Sequence, residues 1–357
     1  YSFGNRVSES VTEAREKVAA LINAKPREII FTSCGTESSN AALNSTLITQ
    51  PGKRHIITTA VEHSANIKFG QMHEKRGGEV SWIPVDRAGQ IDVHELQEAI
   101  REDTAVVSVM LANNETGVVF PIEEIAAICR AKGVPFHTDA VQTAGKLKLD
   151  VKAMGVDFLS LSAHKLHAPK GIGLLYARQG VAWQPYVIGG GQESGRRGGT
   201  ENVAYIVAFG KAAELAMASL KNDVDRIRTL RNRMEDSIME RIPGVTRNGA
   251  REPRLPNTSN LNFADCEAEA ILLLLDREGI CASSGSACTT GSLAPSHVLI
   301  AMGVPPEHAL SSVRLSLSKY STAAEVDHLL DTLPAIIKKL REASPKTSRV
   351  ATQKISQ

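Results

Sequence analysis

Five strand-like runs in this chain are each followed by residues able to do chemistry. After Thr32 comes SCGTES, after Thr59 AVEHSAN, after Leu111 ANNETG, after Thr138 Asp139-Ala-Val-Gln142, and after Leu161 SAHKLHAPKG. Polar residues at strand ends are ordinary turn chemistry, so any one set alone reads as structural. Five together, including one lysine and one aspartate, read as a site. Gly35 and Thr36 would open a helix with backbone amides and a hydroxyl turned to an anion. Ser162 and His164 add donors for the same phosphate. The turn lacks a P-loop lysine and the GxGxxG spacing, which favours a small phosphorylated cofactor over a nucleotide. Lys165 lies where a desolvated amine could condense with an aldehyde, since burial favours the free, nucleophilic amine. Asp139, at the end of an apolar strand, would be costly to bury without a cationic partner. The protonated ring nitrogen of pyridoxal phosphate is such a partner. His63 could lie on the ring face and move protons.

A second group follows later in the chain. Cys288 stands in ASSGSACTTGSLAPSHVL (282–299), a Gly-, Ser- and Thr-rich stretch with nothing to pack a core, so its thiol is expected to be mobile and accessible. Arg314, in SSVRLSLS, interrupts an apolar strand and suits bidentate capture of a carboxylate; a structural ion pair is the alternative. GGGQESGRRGGTEN (189–202) is too glycine-rich for a core element, and Thr200 within it could reach a phosphate across a two-fold axis. Of the other cysteines, Cys129 (in a helix pattern), Cys281 (in a strand pattern) and Cys266 are expected to be buried, and Cys34 to be structural.

The elements that must hold these groups alternate. Strand-like runs at 28–32, 55–59, 80–84, 105–111, 135–138, 157–161 and 172–176 are mostly separated by helical patterns such as Ile122–Lys132, closed by Gly133. Ser10 and Glu13 resemble a capping box opening a helix to Ile22. This alternation predicts an α/β fold: a mainly parallel, seven-stranded sheet with helices on both faces. After Gly199 the pattern predicts helices at 201–220 and 223–241. It continues with a strand at 259–263, a helix at 267–278, a strand at 280–282, a helix at 295–302, a strand at 312–318 and a helix at 322–340. The expected organisation is a large domain at 1–224, a smaller C-terminal α+β domain at 225–345 carrying the cysteine loop, and a disordered tail at 346–357.

Composition narrows the function. With 41 Lys and Arg against 39 Asp and Glu, the 357 residues carry a formal charge of +2, which predicts no affinity for nucleic acid or anionic lipid. The longest unbroken run of Ile, Leu or Val is the five residues Ile271–Leu275, so no membrane span is expected. Five dispersed cysteines make neither a disulfide framework nor a zinc site, and no metal is expected. No signal peptide is read at the start, although an opening Tyr1 without Met suggests missing sequence. A soluble cytoplasmic enzyme or binding protein fits.

SAHKLHAPKG, FHTDAVQT, LANNETGVVFPIEE, GRRGGTEN and the cysteine loop together resemble cysteine desulfurases of the NifS/IscS group, nearest the NifS branch linked with nitrogenase, within the fold type I, class V aminotransferase-like enzymes. The resemblance runs from Phe3 to about Ser344. It implies a homodimer that binds pyridoxal 5'-phosphate. Lys165 would hold the cofactor, Asp139 its ring nitrogen, Gln142 its ring hydroxyl and His63 its ring face. Gly35, Thr36, Ser162 and His164 would bind its phosphate, with Thr200 from the partner subunit. Asn114 and Arg314 would hold the carboxylate of L-cysteine. Cys288 would take the substrate sulfur as a persulfide and pass it to an iron–sulfur scaffold or other acceptor. Two departures stand out: the family's YLDNNATT-like N-terminal segment is absent from this sequence, and Ala163 replaces a usual Gly. Rival readings are a selenocysteine lyase, another class V aminotransferase, and a non-catalytic adaptor of the same fold.

Overall fold

The structure is a computed structural model that describes residues 2–285 and 294–343, with side chains from residue 4. The chain forms two compact units. One comprises residues up to Val85, Ile91–Asn113 and Val119–Leu220; the other comprises Asp86–Gln90, Asn114–Val118 and the chain from Lys221. The expected tail lies outside the described residues.

The first unit is built on a seven-stranded sheet: β1 (Ile29–Thr32), β2 (His55–Thr59), β3 (Glu79–Ile83), β4 (Thr104–Ser108), β5 (Phe136–Asp139), β6 (Phe158–Ser162) and β7 (Gly173–Ala177). Their order is β1-β7-β6-β5-β4-β2-β3. Only β7 runs against its neighbours, β1 and β6; the remaining pairs are parallel. All seven expected strands are present, each within two or three residues at its ends. β1, β2 and β4 to β7 are buried along their whole length, as a sheet covered on both faces requires. The helix Gly35–Thr49 packs on β6 and β7, and Ile30, Ala41, Ala42, Phe158 and Leu175 form part of the core there.

The second unit has a three-stranded antiparallel sheet, β10-β9-β8, from β8 (Val245–Arg247), β9 (Thr258–Phe263) and β10 (Ser312–Ser316). Its core gathers Leu261, Phe263, Ile271, Val313, Leu329 and Leu333 from β9, β10 and the helices Ala268–Arg277 and Ala323–Ala343.

Several expectations change. The first helix runs from Ser2 to Leu21, so Ser10 is internal; its hydroxyl donates to the Arg6 carbonyl at 3.0 Å instead of capping. The two helices expected at 201–220 and 223–241 are one, Val203–Arg241. No residue in 221–222 breaks helical geometry, and Lys and Asn do not stop a helix that is packed elsewhere. Residues 280–282 are not a strand; Ser283 alone bridges to Arg314. Cys281 is accordingly exposed, while Cys129 and Cys266 are buried as expected. Strand β8 was too short for its alternation to register. The expectation that nothing could span a bilayer also needs correction. The helix Val203–Arg241 holds an 18-residue stretch of mean hydropathy 1.5, long and apolar enough by itself. Its apolar residues mix Ala, Val, Ile, Leu, Phe, Tyr and Met rather than forming an unbroken run of Ile, Leu or Val. Ile206, Phe209 and Ala213 are buried in the first unit, and about a third of the stretch is buried in all.

Candidate active site

Three loops at the carboxyl ends of strands in the first unit bring the expected cofactor residues together. Asp139 is the last residue of β5 and is buried; its Oδ1 accepts from the Val141 N–H at 2.9 Å. Burial raises its pKa on balance, against the pull of that hydrogen bond and of nearby His63 and Lys165. The aspartate, the histidine and the lysine therefore share one electrostatic environment. Lys165 is half-buried in a single helical turn, Ala163–Leu166, that follows β6 directly. His63 caps the helix Ser64–Lys75: Nδ1 accepts from Ala65 N–H at 3.2 Å, which leaves the ring proton on Nε2.

The residues expected to bind phosphate lie alongside. The 15-residue helix Gly35–Thr49 begins immediately after β1, and Cys34 caps it, with Sγ accepting from Glu37 N–H at 3.5 Å. A Cβ added at Gly35 would stand 2.7 Å from Val141 Cγ2 and 3.5 Å from Ser162 Cβ. The helix start is thus pressed against the turn after Asp139 and the end of β6, a contact that only glycine permits. Ser162 Oγ and His164 Nδ1 are 2.9 Å apart, and Thr36 is exposed at the same helix end. Burial and the cations Lys165, Lys170 and Lys146 lower the His164 pKa, which favours the neutral ring. A helix N-terminus, a Ser–His pair and neighbouring lysines suit a dianionic phosphate; a buried aspartate suits a ring cation. The residues present fit pyridoxal phosphate.

Gln142 is half-buried, and its carbonyl accepts from Lys146 Nζ at 2.8 Å. Thr200 is exposed and lines a cavity of about 190 Å³ with Ser33, Arg197 and Asn202. The arginines before it hold their loop in place. Arg197 Nε pairs with Glu37 at 2.9 Å, and Arg196 donates to the carbonyls of Arg27 and Ile29. In the second unit, Arg314 on β10 donates through Nη1 to the Asn114 carbonyl at 2.8 Å, so these two expected substrate residues touch. The Asn114 side-chain oxygen is buried with no hydrogen-bond partner among the described residues, an unmet acceptor that a ligand amine could satisfy. Cys288 lies outside the described residues.

Two groups that the motifs did not flag also belong here. Lys146 has its pKa pushed down to about 8 by burial and by Lys165, making it a second amine of reduced basicity. Its signal was the QTAGK spacing after Asp139, which places it four residues beyond Gln142 in the same turn. Glu62, next to His63, is fully buried; Oε1 accepts from Met110 N–H (2.8 Å) and Thr59 Oγ1 (3.0 Å), and Oε2 accepts from Asn66 Nδ2 (3.0 Å). Burial, reinforced by the charge of Asp139, lifts its pKa to about 8. A carboxyl raised from 4.5 to about 8 on folding binds more protons in the native state, so its contribution weakens stability as pH rises through that interval. Glu62→Gln should remove this slope and raise the melting temperature at pH 8.5 by roughly 3 °C, for about 2 kcal/mol. Thermal melts from pH 5 to 9 check it; an unchanged slope would exclude Glu62 as its source.

Comparison with known proteins agrees with this geometry. The aminotransferase class-V family model matches residues 1–329. A Trichormus variabilis protein named cysteine desulfurase 2 is 54% identical over 345 residues, covering 97% of this chain and 86% of that protein. The Azotobacter vinelandii cysteine desulfurase NifS is 47% identical over 97% of this chain and 86% of its own length. Among solved structures, a NifS-like protein superposes with a TM-score of 0.86 at 37% identity, covering 96% of this chain and 89% of that one. A structure described as SspA in complex with cysteine superposes at 0.79 with 33% identity, covering 90% of each chain. Likeness of this extent, over a sheet that assembles Asp139, Lys165 and His63 as the motifs require, places the chain in the aminotransferase class-V family, among its NifS/IscS cysteine desulfurases.

Proposed function

We propose that this protein is a pyridoxal phosphate-dependent cysteine desulfurase: it converts L-cysteine to L-alanine, keeps the sulfur as a persulfide on Cys288, and donates it to iron–sulfur cluster assembly. The observation that carries the reading is the buried Asp139 carboxyl, set against the charges of Lys165 and His63 in a chain half identical to named desulfurases. Lys165 would hold the cofactor, with Asp139 at its ring nitrogen, Gln142 at its ring hydroxyl and His63 at its ring face. Gly35, Thr36, Ser162 and His164 would hold its phosphate, joined by Thr200 of a second copy in a homodimer. When bound, the group supplies an electron sink for the pair left on the substrate α-carbon.

The chain's own residues do the rest. Asn114 and Arg314 hold the substrate carboxylate, which fixes which α-substituent can align for cleavage. The Lys165 amine takes the α-proton at Nζ. The Cys288 thiolate attacks the substrate sulfur. A sulfur–sulfur bond forms as the carbon–sulfur bond breaks, the electron pair returns to carbon, and protonation there releases alanine. The balance is one cysteine and one thiol giving one alanine and one persulfide. Asp139 would hold the ring nitrogen, and His63, whose Nδ1 accepts from Ala65 N–H, would relay a proton through Nε2.

Product analysis tests the assignment. With L-cysteine, the holoenzyme should yield alanine and sulfide in equal amounts under reducing conditions. It should act on selenocysteine without being restricted to it, and transfer no amino group to an oxo acid. Activity confined to selenocysteine, or amino transfer to the oxo acid, would replace the desulfurase reading with one of its relatives; binding of neither cofactor nor cysteine would favour a non-catalytic adaptor.

A further inference from the structure

The glycine-rich stretch 189–202 contains a turn that its glycines do not explain. Glu193 and Ser194 stand consecutively in the left-handed region, with φ of +48° and +58°, and Gly195 follows at +75°. A residue with a side chain resists that conformation, so two in a row persist only where surrounding contacts hold them. Those contacts centre on the Glu193 carboxyl, which is buried. Its Oε1 accepts from Arg15 Nη2 at 2.7 Å, and its Oε2 accepts from Arg15 Nη1 at 2.8 Å and from the Phe31 N–H at 3.0 Å. Arg15 belongs to the first helix, and its guanidinium lies 4.7 Å from the centre of the Phe31 ring. Phe31 belongs to β1, an edge strand that pairs with β7 alone. The Ile29 carbonyl, two residues back along β1, accepts from Arg15 Nη1 at 3.0 Å and from Arg196 Nη2 at 2.8 Å. The turn therefore covers main-chain groups on a strand whose other side has no neighbouring strand.

From this anchor the chain reaches Thr200 through a closed series of contacts. The Arg196 carbonyl accepts from Trp183 Nε1 at 3.1 Å, and Arg197 pairs with Glu37, the residue after Thr36. The Gly198 N–H donates to the Val187 carbonyl at 2.8 Å, and a Cβ added at Gly198 would stand 2.6 Å from Gly189 Cα, so the two ends of the loop touch. The Gly199 N–H donates to Gln192 Oε1 at 3.2 Å. Glu193 and Thr200 line the same cavity of about 190 Å³. We propose that Glu193 is a positioning residue for Thr200: its carboxyl, held by Arg15 and the Phe31 N–H, fixes the loop that presents Thr200 to the cofactor phosphate of a second copy. This rests on the reading of Thr200 as a phosphate ligand across a homodimer. A loop fixed before the cofactor arrives loses less freedom on binding it, so the fixed turn strengthens the hold on phosphate. Removing the carboxyl would free the turn and take the acceptor from the Phe31 N–H, while Asp139 and Lys165 keep their places.

The test uses the holoenzyme with Glu193→Ala, Arg15→Lys and Thr200→Val. Each variant is followed by its loss of pyridoxal phosphate on dilution and by hydrogen exchange of peptides covering 187–200. Glu193→Ala should weaken cofactor binding about 10-fold and speed exchange there at least about 10-fold, with kcat at saturating cofactor within about threefold. Arg15→Lys keeps a cation but loses the fork; it should shift both in the same direction by less, and decides the matter if Glu193→Ala does not fold. Mixed dimers with a single working Lys165 locate the effect, read as cofactor fixed on that lysine by borohydride. With Glu193→Ala and Lys165→Ala on one copy, the working site takes Thr200 from the altered loop and should lose cofactor about 10-fold faster. With the two substitutions on opposite copies, the working site takes Thr200 from an unaltered loop and should keep the parent rate. Parent retention and exchange in both Glu193→Ala and Arg15→Lys, or a defect that stays with the copy carrying Glu193→Ala, would overturn the positioning role. If Thr200→Val holds the cofactor as tightly as the parent, the reading of Thr200 fails, and the proposal falls with it.

Discussion

Cys288→Ala should stop alanine formation, lowering the rate at least about 10³-fold, while the visible spectrum of the bound cofactor stays as in the parent protein. Sulfur leaves the substrate only when a nucleophile takes it, and Cys34, Cys129 and Cys266 are poorly placed to do so. Burial pushes the Cys129 thiol up to about 12, and also raises that of Cys266. Cys34 accepts the Glu37 N–H at the start of the helix Gly35–Thr49. Cys281 is exposed but lies just beyond the Ala268–Arg277 helix, ahead of the Ser283 bridge to Arg314. Cys281→Ser is therefore the control and should keep the parent rate. Alanine release by Cys288→Ala at the parent rate would mean that a different thiol, or none, accepts the sulfur.

Lys165→Ala should have an effect as large through a separate step. Removing the amine takes away both the anchor for the cofactor aldehyde and the base for the α-proton, and the two roles together should cost at least about 10⁴-fold in turnover. Lys146, whose pKa is depressed, cannot stand in, because its Nζ is engaged by the Gln142 carbonyl at 2.8 Å. Exchange of the cysteine α-proton with deuterated solvent, followed by mass spectrometry, separates this variant from Cys288→Ala. Exchange should vanish in the first and persist in the second. Persistent exchange in Lys165→Ala would assign the base to another group.

The strands of the first unit were legible because six of the seven are buried throughout, so apolar runs between turn residues mark them directly. The Asp139, Lys165 and His63 set was legible for a related reason: each follows or ends such a run, and in a parallel sheet those ends converge. What the sequence concealed depends on contacts between distant residues. That Asp86–Gln90 and Asn114–Val118 belong with the C-terminal part of the chain has no local signature. The Glu115–Ser296 contact spans 181 positions, and Glu62 is an unremarkable carboxylate until Met110, Thr59 and Asn66 close around it. The first helix was cut short because Ser10 resembles a cap, when its hydroxyl simply bonds back to Arg6. The strand expected at 280–282 failed because three apolar-leaning residues bound by a single bridge do not make a ladder.

Reduction of the pyridoxal phosphate-loaded protein with borohydride, followed by digestion and peptide mass mapping, addresses the core of this account in one measurement. The account requires the reduced cofactor to be found on the peptide containing Lys165, with its visible absorbance lost on reduction and the yield falling sharply in Asp139→Ala. Label on Lys146 or on a scatter of surface lysines, or full labelling of Lys165 regardless of Asp139, would contradict it.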